Sequence, residues 1–468
     1  MKKLFKIGFS CGIGIGGLIA IVLLVSLDTV DYQPYFRTSY HQNTVECLQT
    51  RVATNAAIQG ELFAGFGRAR LTPTINAAQD LPEQGQFRSL PLAGYGSRRG
   101  EAATGVHDDL YVKAAALRVG GRLGVMVGTD ALIVPIEVTD LAMQRLEQEA
   151  GLRREQVYLS ASHSHSSLGG WGEGLVAEAF AGGFQPGSRI WFADRIVTAV
   201  REAIADLQPA TFGYGHFEAP ELIRNRLVGP LGQVDPEFSW LLFQQSNGRR
   251  IVLGSYSAHA TVLSGSSMVF SADYPGSWQR AVETAPSTAA IFLAGGVGSQ
   301  SPVAPGTNGF DRAEQMGRAL AQRTLAQLTE VSLTNRVVFN LLGLEVALPP
   351  LNVRVSDGLR LRPWLARELL PVRPSSFLQV FRINDTVWIS TPCDYSAELT
   401  LGVKDYLRAR GYSGVITSFN GDYVGYVVPA RYYHLNGYEP RLMSFFGPNV
   451  PDYFDELIRA MAAAMITQ

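Results

Sequence analysis

The sequence predicts an α/β protein: layered mixed β-sheets flanked by helices, forming one large domain after an N-terminal transmembrane helix. Three observations carry this. Short apolar runs of strand length alternate with longer runs of helical spacing along most of the chain, which is the pattern of layered α/β domains. The 468 residues are 46% hydrophobic, ample for a large buried core. The 48 glycines and 24 prolines are scattered, without repeat or low-complexity tract, so the chain reads as one folded unit with many loops.

In chain order, Lys2, Lys3 and Lys6 precede an uncharged stretch from Ile7 to Leu27. A helix of about 20 apolar residues crosses a bilayer core, and the lysines hold its start in the cytoplasm, sending the remainder outside. The stretch is long for a cleaved signal peptide and no small-x-small site follows before Asp28, so an uncleaved anchor is favoured. Residues 1–30 are thus expected as cytoplasmic stub and anchor, and 31–60 as a polar connector. The expected localisation is single-pass membrane, with the main domain (61–468) extracytoplasmic. A glycine-rich entry, Gly65-Phe66-Gly67-Arg68, leads to a loop-like stretch from Gln79 to Thr104. Strands are expected at Leu123–Val127, ending near Asp130, and at Val157–Ala161, Ile251–Ser257, Ile291–Ala294 and Val415–Phe419. Phe377–Ile383 and Val387–Ser390 form a hairpin with Asn384-Asp385 at its turn. Helical spacing marks Val138–Glu149, Ile190–Leu207, Asp311–Leu328, Ser396–Arg410 and Asp452–Met465.

Charge excludes some classes. With 40 basic and 41 acidic residues, no surplus points to nucleic acid and no acidic tail to disorder. Cys11, Cys47 and Cys393 give neither a disulfide framework nor a thiolate metal site. Cys47 and Cys393 pair only in an oxidising compartment, and two free thiols fit the sequence equally well.

The residues with chemistry sit just after expected strands, where a sheet holds loops rigidly and solvent reaches them. Of seven histidines, two lie in Ser162-His163-Ser164-His165-Ser166. On an extended chain they face the same way, so both rings reach one site, and neutral imidazole is the commonest metal ligand. His259 follows another strand, though a lone histidine is more often structural. Asp130 and Asp394 add carboxylates, and a histidine–carboxylate set with an open position suits a catalytic zinc. Asp394 is equally placed to cap the helix from Ser396. Ser301, in Gly298-Ser299-Gln300-Ser301-Pro302, lacks the Gly-x-Ser-x-Gly elbow and reads more readily as a turn serine held extended by Pro302.

Nine segments in order resemble the catalytic N-terminal domain of the neutral, or alkaline non-lysosomal, ceramidases. Gly65-Phe66-Gly67-Arg68-Ala69 resembles the family's Gly-x-Gly-Arg-Ala, and Gly94-Tyr95 its Met-Gly-Tyr turn. Gly105-Val106-His107 through Leu110-Tyr111 resembles Gly-Ile-His-x-x-Leu. Ser162–Gly170 resembles Thr-His-Thr-His-Ser-Gly-Pro-Gly-Gly, and Asn225-Arg226 the start of Asn-Arg-Ser-Pro. Ala258-His259-Ala260-Thr261 resembles His-Pro-Thr, and Gly298–Pro302 Gly-Asp-x-Ser-Pro. Pro392-Cys393-Asp394 falls where the family has Pro-Gly-Glu. Asp422-Tyr423 through Tyr426, then Tyr433 and Tyr438-Glu439, resembles its tyrosine-rich ending.

The resemblance implies one Zn2+ per chain, held by His163, His259, Asp394 and Tyr423. It implies that His165 orients the water or the substrate amide, that Arg226 meets the polar head, and that Ser301 and Tyr433 lie at the reacting group. The implied substrate is a lipid such as ceramide, reached at the membrane through the N-terminal helix. The implied reaction is hydrolysis of an N-acyl sphingoid base to a fatty acid and the free base. The sequence departs from the family at Asp394, one methylene shorter than glutamate, at Ser167-Leu168, at Ser299 and at Leu227-Val228. With the tyrosine-rich segment close to the end of this sequence, the family's C-terminal immunoglobulin-like domain is not expected here. These departures leave two alternatives: hydrolysis of another envelope amide or ester, or a silent lipid-binding relative. The sequence leaves the oligomeric state open.

Overall fold

The computed structural model describes residues 23–370 and 372–467. Its centre is a 12-stranded hydrogen-bonded sheet. The strands are β1 Ile58–Arg70, β2 Tyr111–Val119, β3 Arg122–Thr129, β4 Val157–Ala161, β5 Gln208–Glu218 and β6 Glu237–Gln245. They continue as β7 Arg250–Tyr256, β8 Thr288–Ala294, β9 Arg336–Ala347, β10 Ser375–Ile383, β11 Thr386–Ser390 and β12 Ser413–Thr417. The order is β8-β7-β6-β5-β1-β9-β10-β11-β12, with a branch β1-β2-β3-β4. The 13-residue β1 carries both paths: Ile58–Glu61 pair with β9, and Leu62–Arg70 pair with β2.

The branch lies face to face with the rest of the sheet, and strand alternation makes this possible. Ala115, Leu117 and Val119 of β2 and Met126 of β3 point into one buried cluster with Phe243, Leu253, Ile291 and Phe381 of the facing strands. The intervening residues Val112, Ala114, Val125 and Val127 belong to a second cluster. That cluster holds the buried faces of α2 Ile136–Ala150 and α4 Pro186–Ala205; the short helix α3 Leu175–Ala181 lies between these two in sequence. On the far side, α5 Asp273–Val282 and α6 Gly309–Leu328 cover one half of the second sheet. Helices α7 Ala397–Arg408 and α8 Val450–Ile466 cover the other half. The result is four layers: helices, sheet, sheet, helices.

Glycines set the spacing at two places. A Cβ on Gly65 or Gly67 would meet the backbone oxygen of Ala203 or Ala199 at 2.1 Å, so α4 rests directly on β1. A Cβ on Gly128 would lie 2.6 Å from Ile291 of the facing sheet. The Gly-x-Gly pattern at 65–67 is therefore a packing requirement.

The expected strands and helices are present, with ends shifted by a few residues. The hairpin closes at Ile383–Thr386, with Asn384 left-handed at φ 52°. Strands β1, β2, β5, β6 and β9 and helices α3 and α5 were not expected from the sequence. In β2 the run Lys113-Ala114-Ala115-Ala116-Leu117 has helical propensity, and pairing on both sides overrides it. The stretch expected as a connector holds the 16-residue helix α1, Ser39–Thr54. It packs on β9, where Thr44 Oγ1 accepts from Ala347 N–H at 3.0 Å. Cys47 and Cys393 are both free. The expected anchor, Ile7–Leu27, lies outside the described residues except for its last five. Among the described residues no helix is long and apolar enough to cross a membrane.

Candidate metal centre

The site is assembled from loops at the C-terminal ends of parallel strand pairs. β4 is parallel to β3, β7 to β8, and β11 to β12, so these loops emerge on one side, as open α/β sheets place their sites. His163 and His165 follow β4, His259 follows β7, and Asp394 follows β11. The two histidines of the first loop do not converge by extended alternation. His163 is left-handed at φ 62° and the chain turns at His165, setting their rings 88° apart. A left-handed backbone is costly for a residue with a Cβ and is held there by its surroundings. Phe419, itself at φ 65°, stacks on the His163 ring at 4.1 Å and 9°, and Ser164 Oγ donates to Ser271 O at 2.6 Å.

The nitrogen geometry fixes the tautomers. His163 Nδ1–H donates to Leu132 O at 2.7 Å and His259 Nδ1–H to Val297 O at 2.9 Å. A carbonyl only accepts, so in the neutral rings both Nε2 atoms carry bare lone pairs. These two atoms lie 2.9 Å apart, and His165 Nε2 lies 3.1 Å from that of His163. Two bare lone pairs at that distance repel; a cation between them turns repulsion into ligation. Burial also drives the His163 imidazole down to about 3 and holds His165 and His259 well below their usual range, which keeps the rings unprotonated.

Asp394 supplies the complementary charge. Its carboxylate is fully buried. Oδ2 accepts from Tyr423 O–H at 2.8 Å. Oδ1 has no hydrogen-bond partner and lies 3.5 Å from both His163 Nε2 and His259 Nε2. Tetrahedral zinc with ligands at ~2.0–2.1 Å spaces its ligand atoms by about 3.3 Å, so these separations fit such an ion. Burial, only partly offset by Tyr423 and Arg226, pushes the Asp394 carboxyl up to about 7. The helix after it begins at Ala397 with Ser396 in the N-cap position, so Asp394 is not its cap.

Tyr423 reaches this cluster through Asp394. Tyr426, three residues on, reaches it directly: its hydroxyl is 3.2 Å from His259 Nε2 and accepts from Arg226 Nη2 at 2.9 Å. Arg226 Nε also donates to Glu439 Oε1 at 2.7 Å. Tyr426 and Glu439 both lie in the tyrosine-rich motif, yet sequence gave no means of choosing Tyr426 over Tyr423. Two other sequence candidates stand apart. Ser301 is half-buried in a short strand, Gln300–Pro302, paired with Ile223–Asn225, without a side-chain hydrogen bond among the described residues. The Tyr433 hydroxyl accepts from Asn352 Nδ2 at 3.0 Å, and Arg354 lies 3.9 Å over its ring. Asp130 is held elsewhere, by Tyr111 N–H and Gln279.

His163, His165, Tyr423 and Tyr426 form the floor of a cleft whose walls include Trp171, Val176, Phe180, Leu370, Met443 and Phe445. An apolar cleft ending at a cluster of neutral histidines is the usual form of a small-molecule site with a few placed polar groups.

Comparisons with known proteins follow this geometry. Residues 83–315 match the family described as neutral/alkaline non-lysosomal ceramidase, N-terminal. The chain is similar to a neutral ceramidase of Pseudomonas aeruginosa, 26% identical over 290 residues, covering 57% of this chain and 41% of the relative. It is similar to a neutral ceramidase of Mycobacterium tuberculosis, 23% identical over 286 residues, covering 52% and 44%. The aligned part thus spans less than half the length of these curated relatives. Among solved structures, a ceramidase complexed with C2 superposes with a TM-score of 0.71 at 21% identity, covering 87% of this chain and 75% of that one. The crystal structure of a neutral ceramidase from Pseudomonas aeruginosa gives 0.69 at 22%, covering 86% and 74%. These two likenesses establish a shared fold.

Proposed function

Since this chain belongs to the neutral/alkaline non-lysosomal ceramidase N-terminal family, we propose that it is a zinc-dependent amidohydrolase cleaving ceramide or a related N-acyl lipid. The products are a fatty acid and a sphingoid base. The observation that carries the reading is the convergence of the histidine Nε2 lone pairs with the unpartnered Oδ1 of buried Asp394. His163, His259 and Asp394 would hold the ion, with Tyr423 or Tyr426 beside them. When bound, zinc polarises the scissile carbonyl and lowers the pKa of water to near 7.

The chain's own residues do the rest. His165, partly buried and neutral, takes a proton from the attacking water and returns one to the leaving nitrogen. Burial holds the Tyr426 phenol well above its ordinary range, so it keeps its proton and donates it as a hydrogen bond to the developing oxyanion. Arg226 fixes that hydroxyl from the other side. The Trp171 and Phe180 side of the cleft takes the acyl chain and excludes water. Residues 1–30 would anchor this domain outside the cytoplasm, beside its lipid substrate.

The test is fatty-acid release from ceramide by purified protein, with metal content measured in parallel. One zinc per chain and loss of activity in His163→Ala are expected. Zinc-loaded protein that leaves ceramide intact but cleaves other acyl amides would replace the substrate. Metal-free protein whose activity survives His163→Ala would sink the enzyme reading.

A further inference from the structure

Three chain segments that carry site residues meet at one buried side chain outside the histidine cluster. The first segment, Ile223–Val228, carries Arg226. The second, 295–300, carries Val297, whose carbonyl fixes the His259 ring. The third, 394–398, carries Asp394. Glu398, 9% exposed on the first turn of α7, touches the other two. Its Oε1 accepts from Asn225 Nδ2 at 3.2 Å, and its Oε2 from Ser299 Oγ at 3.1 Å.

Each partner is itself engaged around a site residue. Asn225, 7% exposed, turns the chain on either side of Arg226: its Oδ1 accepts from Leu227 N–H and Val228 N–H, both at 3.0 Å. Gly232 leaves room for this, since a Cβ there would lie 2.2 Å from Asn225 Nδ2. Ser299, fully buried, accepts from Ala397 N–H at 3.0 Å through Oγ, and its carbonyl accepts from Arg226 N–H at 2.8 Å. Gly298 N–H donates to Tyr395 O at 2.8 Å, and a Cβ on Gly298 would meet Asp394 O at 2.3 Å. The loop before Ser299 therefore lies directly on the Asp394 backbone.

We infer that Glu398 is a positioning residue: it ties Asn225 to Ser299 and so sets the Arg226 guanidinium against Tyr426 and His259. The inference rests on the amidohydrolase reading for its activity readout. The bonds it makes are side chain to side chain and buried, so nothing from water replaces them when they are lost. Ser299 stands where the resembling motif has aspartate. In this structure a carboxyl group is brought to residue 299 from α7, by Glu398.

The experiment compares full-length wild type with Glu398→Ala, Ser299→Asp/Glu398→Ala, Arg226→Ala and Arg226→Ala/Glu398→Ala. In Glu398→Ala, zinc content stays at the wild-type level. Its kcat on ceramide falls roughly tenfold, the size of one lost hydrogen bond to a charged group, with KM changed less. Ser299→Asp restores most of that loss by supplying the carboxyl group from the facing loop. In the Arg226→Ala background, Glu398→Ala costs little more, because the tie acts through Arg226. Equal losses in both backgrounds, or no loss in Glu398→Ala, overturn the assignment. A readout independent of activity separates it from the enzyme reading. The Arg226 Nε–H NMR resonance, held by Glu439, shifts or broadens in Glu398→Ala and returns in Ser299→Asp/Glu398→Ala. An unchanged resonance in Glu398→Ala refutes the tie even if wild type proves inactive on every acyl amide.

Discussion

Asp394→Asn separates a metal ligand from a structural carboxylate, and its effect has a sign that can be worked out in advance. In metal-free protein, burial raises the Asp394 carboxyl from 3.8 to about 7. The folded state then holds a proton that the unfolded chain has released. Stability of the metal-free wild type therefore falls as pH rises from about 4 to about 7, and is flat above. A shift of about three units corresponds to about 4 kcal/mol, or about 4 °C in Tm for a chain of this length. Asparagine carries no such charge. Its side-chain oxygen can keep the Tyr423 hydrogen bond, and its NH2 group faces the bare Nε2 atoms of His163 and His259. Chelator-treated Asp394→Asn should therefore melt higher than chelator-treated wild type at pH 8 and equal to or below it at pH 4.5. Added zinc should reverse the order at pH 8, because a carboxamide is a weak zinc ligand. Scanning calorimetry with and without chelator, together with metal analysis, reads all of this. A variant that keeps one zinc per chain and the wild-type pH slope refutes the ligand assignment and the electrostatic argument together.

Other expectations are simpler. Gly67→Ala drives a methyl group into the Ala199 carbonyl and should cost about 1–3 kcal/mol or more, read by urea unfolding; a neutral result would show that α4 can shift away from β1. Asp130 is pushed up to about 6 by burial, so its folded pKa again exceeds the unfolded one. It should lower stability as pH rises from about 4 to 6, and Asp130→Asn should remove that part of the slope while lowering stability overall; melts across this range decide it. Phe180→Ala opens the wall of the cleft and should raise KM for a long-chain N-acyl lipid several-fold while leaving a two-carbon acyl analogue nearly unaffected. Equal effects on both substrates would place the acyl chain elsewhere.

Much of the architecture could be read from local pattern. β4 was legible to the residue because five apolar or small residues, Val157–Ala161, end at a polar cluster. The β10–β11 hairpin was legible because Asn384 tolerates a left-handed turn. β2 was not, because an alanine-rich run has no strand preference of its own and becomes a strand only between β1 and β3. The same limit applied at the site. His163 and His165 were visible as neighbours, but the reason for their convergence was wrong: a left-handed residue and a turn bring them together, not extended alternation. Tyr426 was missed because Tyr423 and Tyr426 sit in one motif, and sequence cannot say which hydroxyl points at His259.

What the sequence by itself determined was the inventory: a layered α/β body, a Ser-His-Ser-His loop at a strand end, a distant third histidine, and a carboxylate after another strand. Periodicity and residue chemistry are local properties, and they are enough for that. What only the tertiary structure decided was convergence. The proton positions on His163 and His259 depend on carbonyls of Leu132 and Val297, the orphaned oxygen of Asp394 on Tyr423, and the placement of Arg226 on Asn225, Ser299 and Glu398. Each of these pairings joins residues far apart in the chain, and their energies arise from burial, which exists only once the four layers have closed.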